Sequence, residues 1–182
     1  MKPLEIFARS VTWTNEVVGR ATAYLVLLMF GLLFAEVIFR YALRAPSVWT
    51  GELSQMLFGA YALLGGGYLL ARNGHVNVDL IYGAFPTRTR GVIDVFTSVL
   101  FFLFIGVLVW QGTSLAMDSL ARWERSHSAW NPPIWPIKLI IPISAVLILL
   151  QGLVKLANDI LIALGHPPVA TGVEGDTPEE QL

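Results

Sequence analysis

Glu36 and Arg40 stand four residues apart with the acid on the N-terminal side, the order that favours an ion pair along one helix face. Past Pro46, Ser47 or Thr50 can cap a second helix, and Glu52 then falls in its first turn, where the helix dipole favours an anion. Three uses of this set are open. Arg40 can snorkel to the interface while Glu52 merely caps; Glu36, Arg40 and Glu52 can form one network locking two helices; or the cluster can bind a coupled ion or proton. The set lies near the end of an apolar stretch rather than its centre, which weighs against the third use.

Other chemistry is thinly represented. His75 and Asp79 are also spaced i, i+4, but two ligands are too few for a metal site, and a capping or interfacial role fits them better. His75, His127 and His166 all lie outside the apolar stretches, whereas a membrane haem needs axial ligands projecting inward from helices. There is no cysteine, hence no disulfide, thiolate nucleophile or usual zinc or iron–sulfur site. No catalytic triad, carboxylate pair or phosphate loop emerges, and a net charge of −1 gives no footprint for nucleic acid. The expectation is a protein that is not an enzyme and carries no cofactor.

What positions these residues is a set of long apolar segments. Hydrophobic residues make up 55% of the 182 and the mean hydropathy is +0.63. About 20 apolar residues cross a bilayer, which predicts spans at 21–41, 52–71, 92–120 and 136–164. The fold class is therefore an all-α integral membrane protein with four transmembrane helices and a short interfacial segment, around His75 and Asp79, between the second and third. The first apolar run lacks a small-residue cleavage site after it and exceeds the usual signal-peptide length, so it reads as a retained helix. Residues 1–164 form the membrane domain; residues 165–182, with Glu174, Asp176, Glu179 and Glu180 among small residues, read as a disordered acidic tail.

Four spans put both termini on one side. That side carries Lys2, Arg9, Arg20, Arg72, Arg88 and Arg90 against Arg40, Arg44, Arg122, Arg125 and Lys138 opposite. With Arg40 and Lys138 discounted as helix-end snorkels, the balance favours cytoplasmic termini. Trp49, Trp123, Trp130 and Trp135 fall in the opposite loops, as an outer aromatic belt would.

Two contact surfaces stand out. In the second span Gly59, Ala62 and Gly66 share a face, beside Gly65 and Gly67, and small residues let helices approach closely in lipid. This face is expected to pack against a partner membrane protein. The loop from Ala121 to Trp135 combines Arg122, Arg125, Trp130 and Trp135 with Pro132-Pro133; it either sits in the headgroup layer or docks a soluble partner.

Taken in order, Glu36-Val-Ile-Phe-Arg40-Tyr41, Pro46-Ser-Val-Trp49-Thr-Gly-Glu52-Leu53, Gly65 and His75-Val-Asn-Val-Asp79 resemble the small membrane subunit of tripartite ATP-independent periplasmic (TRAP) transporters, the DctQ-like family. The motifs cover roughly residues 36–90. The resemblance implies a non-catalytic subunit of a bacterial inner membrane. Its partners would be a large permease subunit housing the sodium and substrate sites, and a periplasmic solute-binding protein delivering an organic solute, expected to be a carboxylate. Gly65-Gly66-Gly67 carries more glycine than the family pattern needs. Two other classes compete: an anchor or scaffold subunit of another inner-membrane complex, and a small independent proton-coupled transporter, for which Gln111 is the main mid-span polar group.

Overall fold

A computed structural model describes residues 2–72 and 87–169. Helix α1 runs Lys2–Val37 and continues into a π-helical turn, Ile38–Ala42; α2 is Thr50–Ala71, α3 is Thr87–Ala121 and α4 is Trp135–Ala163. Among the described residues these four helices are long and apolar enough to cross a membrane. Apart from one β-bridge between Arg125 and Pro133, the regular structure of the described residues is helical. The chain is thus an all-α membrane protein.

The principal difference from the sequence expectation is the first helix. It begins at Lys2, not near Ala21, and with its π turn spans 41 residues, roughly 60 Å against a hydrocarbon core of about 30 Å. Hydropathy marks only where the apolar stretch starts. The preceding segment is amphipathic: Ala8, Val11, Thr12, Asn15, Gly19 and Thr22 are its buried positions, at the three-and-four spacing of one helix face. Ala8 and Val11 pack with Val154 of α4 and with Val169.

α4 is the hub, touching α3, α2 and α1, while α2 also lies along α1. Close approaches set the relative heights. Gly19 sits under Tyr68, Gly67 against Asn15, Gly152 against Phe101, and a Cβ on Gly66 would lie 2.9 Å from Ile148 Cδ1. Pro142 lies inside α4.

The last two helices, α3 and α4, end in recognisable caps. At the end of α4, Gly165 adopts φ 81° while its amide bonds Ile162 O and the His166 amide bonds Leu161 O, the paired reverse bonds of a Schellman motif. Residues 165–169, assigned on composition to the tail, turn back here, and the Val169 amide donates to Asn158 Oδ1 at 2.9 Å. The rest of the expected tail lies outside the described residues. α3 ends in the same pattern, with Trp123 at φ 48° and the Glu124 amide on Ser119 O at 3.0 Å.

Candidate functional site

Two polar layers bracket the bundle. At one end, Glu16 of α1 receives Arg20 at 3.0 Å and Arg72, from the end of α2, at 2.9 Å. At the other lie Glu36, Arg40, Thr50 and Glu52. The helical rise of about 1.5 Å per residue puts Glu52 and Arg72 roughly 30 Å apart, the thickness of a hydrocarbon core. α1 residues before Glu16, the start of α3 and the end of α4 extend past the Arg72 layer.

The Glu36 layer is built by α1 reaching over the start of α2. Glu36 Oε1 accepts Arg40 Nη2 at 2.6 Å and Nε at 3.1 Å. Its Oε2 accepts the Ser47 amide at 3.2 Å and the Ser47 and Thr50 hydroxyls, each at 2.7 Å. The Thr50 amide in turn points at Ser47 Oγ, 3.3 Å away, as in a helix N-cap. A carboxylate from α1 therefore closes the N-terminus of α2, where the helix dipole favours it. Arg40 lies in the π turn, four residues from its acid, and Arg44 at φ 53° follows the helix end before Pro46. Thr50 is fully buried, whereas the Arg40 side chain is 55% exposed.

Glu52 is not part of that cluster. Its Oε2 accepts the Ser128 hydroxyl from the α3–α4 loop, so the expected three-residue network divides in two. Glu36–Arg40 ties α1 to α2, and Glu52–Ser128 ties α2 to the loop. Glu52 is taken up by the loop, and the place expected for it beside Glu36 is filled by Ser47 and Thr50. The sequence marked Ser47 or Thr50 as a cap of the second helix, but no spacing showed that their hydroxyls would meet Glu36.

The loop itself is ordered by its own bonds. The Ser126 amide reaches Pro132 O at 2.9 Å and the Ile134 amide reaches Glu124 O at 3.0 Å. Lys138 Nζ donates to Glu124 Oε2 at 2.6 Å, and this ammonium holds the Glu124 carboxyl below the usual carboxylate range. Trp130 packs on Trp49, ring centres 6.4 Å apart, and Trp135 meets Trp123 edge-on at 5.4 Å. The tryptophans proposed for docking are thus engaged within the chain. Arg122 and Arg125 are exposed, Arg122 lying 3.9 Å from Asp118.

On α2 the expected packing face also divides. Gly66 meets Ile148 of α4 and so serves the internal bundle, whereas a Cβ on Gly59 would meet nothing, and Ala62 is exposed. Helix periodicity correctly grouped the three residues but could not see that α4 leans onto the lower part of this face. The extra glycine at 67 has its own reason: any Cβ there would overlap Asn15 Oδ1. His75 and Asp79 lie outside the described residues.

Two interhelical clusters were missed by sequence reasoning. Asn15 Nδ2 donates to Gln151 Oε1 at 3.2 Å, with Leu147 O at 3.4 Å, and Gln151 Nε2 donates to Thr12 Oγ1 at 3.3 Å; all three side chains are buried. Lys155 Nζ lies 2.8 Å from Asp159 and 3.9 Å from Asp94 of α3. The i, i+4 spacing of Lys155 and Asp159 was a visible signal; Asp94 was not paired with them by any local pattern. Among the described residues no group of three or more His, Cys, Asp or Glu side chains could hold a metal ion.

These features combine apolar helices, polar closures at both ends and an ordered α3–α4 loop, and the comparison with known proteins decides their context. Residues 29–161 match the family described as tripartite ATP-independent periplasmic transporters, DctQ component. The chain belongs to the DctQ family. It is a small permease subunit of a TRAP transporter, a multi-pass inner-membrane protein of a transport family and not an enzyme. This DctQ subunit is 22% identical over 169 residues to the sialic acid TRAP transporter small permease protein SiaQ of Vibrio cholerae, covering 91% of this chain and 94% of that one. It is 29% identical over 98 residues to the sialic acid TRAP transporter permease protein SiaT of Haemophilus influenzae, covering 50% of this chain and 16% of SiaT. The chain thus matches about a sixth of SiaT.

Proposed function

We propose that this subunit braces a large permease subunit during sodium-coupled uptake of an organic solute, a carboxylate, delivered by a periplasmic binding protein. The observation that carries the reading is the family match over residues 29–161. It is supported by the SiaT relative, in which the matching segment is a minor part of a much longer permease. Both relatives are named for sialic acid, which bears a carboxylate, and this favours an acidic solute. The bundle suits a rigid brace: Glu36 fastens α1 to α2, and Glu52 fastens α2 to the outer loop.

In this reading both termini face the cytoplasm and the α3–α4 loop faces the periplasm. Arg122 and Arg125 then meet acidic residues of the binding protein, while Trp130 and Trp135 stiffen the loop that presents them. Gly59 and Ala62 add a small-residue contact toward the large subunit, and His75 and Asp79 belong to the inner interface. Reconstitution tests the proposal. Uptake into proteoliposomes should need this chain, the large subunit, the binding protein and an inward sodium gradient together. Uptake by this chain alone, or no recoverable complex with the large subunit, would overturn it.

A further inference from the structure

The outer half of α3 carries a polar stripe with no place in a lipid-facing surface. Gln111, Ser114 and Asp118 are all exposed at i, i+3 and i+7, one face of the helix. They line one groove with Gly112 and with Ile141 of α4, about 500 Å³ in volume. Its depth follows from the helix contacts. A Cβ on Gly112 would lie 2.9 Å from Ile141 Cγ2, and Ile141 is two turns toward the outer end from Ile148, the residue beside Gly66. At the helical rise, Gln111 sits roughly 20 Å from the Arg72 layer and more than about 10 Å from the Glu52 layer. It lies within the hydrocarbon, and Asp118 is near its outer boundary with its side chain 67% exposed.

A carboxamide presented to hydrocarbon lacks the partners that water would supply, and polar groups in spans almost always face protein. The lipid face of α1 shows the contrast: Tyr24, Leu27, Leu28, Phe30, Leu33 and Phe34 are all exposed, with nothing more polar than a tyrosine. The remaining exposed surface of α3 is mainly apolar, as at Phe104, Val107, Trp110 and Met117, and its exposed Thr97 and Thr113 hydroxyls are satisfied by carbonyls of their own helix. The polar stripe is therefore a local departure on one helix face, not a general property of the surface.

We propose that this groove seats a transmembrane helix of the large permease subunit, one that presents a hydrogen-bonding side chain to Gln111 and Ser114 and a donor to Asp118. The assignment rests on the function proposed above and adds the face. Gln111 offers both donor and acceptor, and Asp118 supplies a carboxylate whose Arg122 partner is 3.9 Å away. A larger chain as occupant accords with SiaT, where the matching segment takes up only 16% of the permease.

The test is site-specific photo-cross-linking in the co-expressed, tag-purified complex. A benzoylphenylalanine is placed singly at Gln111, Ser114, Ala62 or Phe34. Adducts of small plus large subunit are expected from 111 and 114, at least five-fold above those from Phe34. If the complex is recovered but adducts arise only from Ala62 or Phe34, the face is wrong while the subunit's function stands. An adduct of twice the small-subunit mass from 111 or 114 would replace the large subunit by a second copy. Failure to recover any complex sinks both readings. Alongside, Gln111→Leu should cut co-purified large subunit at least five-fold without lowering the melting temperature of the isolated subunit. A loss of melting temperature with unchanged co-purification would make Gln111 a structural residue of this chain.

Discussion

Replacing Gly67 with alanine should break this bundle through one identified atom, Asn15 Oδ1, and removal of that atom should undo the damage. A Cβ at 67 overlaps the Asn15 carboxamide, so Asn15 must leave its position between the helices. It then forfeits its bonds to Gln151 Oε1 and Leu147 O. Interhelical hydrogen bonds in membrane proteins are worth about 0.6 kcal/mol each on average, so this loss is about 1 kcal/mol. The buried Gln151 oxygen is left with the Thr12 hydroxyl at 3.5 Å, a poor substitute; an unsatisfied buried acceptor costs about 1–3 kcal/mol. Against this, alanine gains about 1 kcal/mol over glycine in helix propensity. The net cost of Gly67→Ala is about 1–3 kcal/mol. In an Asn15→Ala background the obstructing oxygen is gone, and the same substitution should be neutral or stabilising by up to about 1 kcal/mol. The assay is reversible unfolding of the four proteins in mixed micelles by SDS titration, followed by tryptophan fluorescence. The expected coupling between the sites is about 2 kcal/mol, far outside the few tenths at which independent sites add. Equal costs for Gly67→Ala in the two backgrounds would refute the reasoning.

Further outcomes follow from the same contacts. Thr50→Val should lower the melting temperature more than Arg40→Ala does, because Thr50 is buried against the Glu36 carboxylate while Arg40 is half exposed; the reverse ranking by differential scanning fluorimetry would return the hairpin's stability to the ion pair. Gly66→Leu should destabilise the isolated subunit by driving off Ile148, whereas Gly59→Leu should leave it intact and weaken only its association with the large subunit, measured by co-purification. The Glu124 carboxyl is held low by Lys138, so the loop's stabilisation is complete above the ordinary glutamate range. It is lost as pH falls through the lowered value. An acid transition in loop tryptophan fluorescence that Lys138→Met leaves unshifted would exclude this pair as its cause.

The local pieces of this protein were legible because they rest on spacing and composition. Four apolar stretches dictate four membrane helices, since no other regular structure satisfies its backbone in lipid within a single segment. The Glu36–Arg40 pair is read from an i, i+4 interval, and the ordered motifs from Glu36 to Asp79 identify the family. The amphipathic start of α1 was also written there, in the spacing of Ala8, Val11, Asn15 and Gly19, but hydropathy alone passes over a helix whose buried face is half polar. What sequence could not decide was which helix answers which. Glu52 and Ser128 lie 76 residues apart, and Asn15 and Gln151 lie 136 apart. No periodicity links such pairs; only the packing of α4, antiparallel to α1 and parallel to α2, brings them together. The same packing decides that Gly66 serves the interior while Gly59, one helix face and seven residues away, is left open. In a bilayer the drive to bury apolar surface is absent, so helix partners are chosen by fit and by hydrogen bonds, and those exist only once the helices have met.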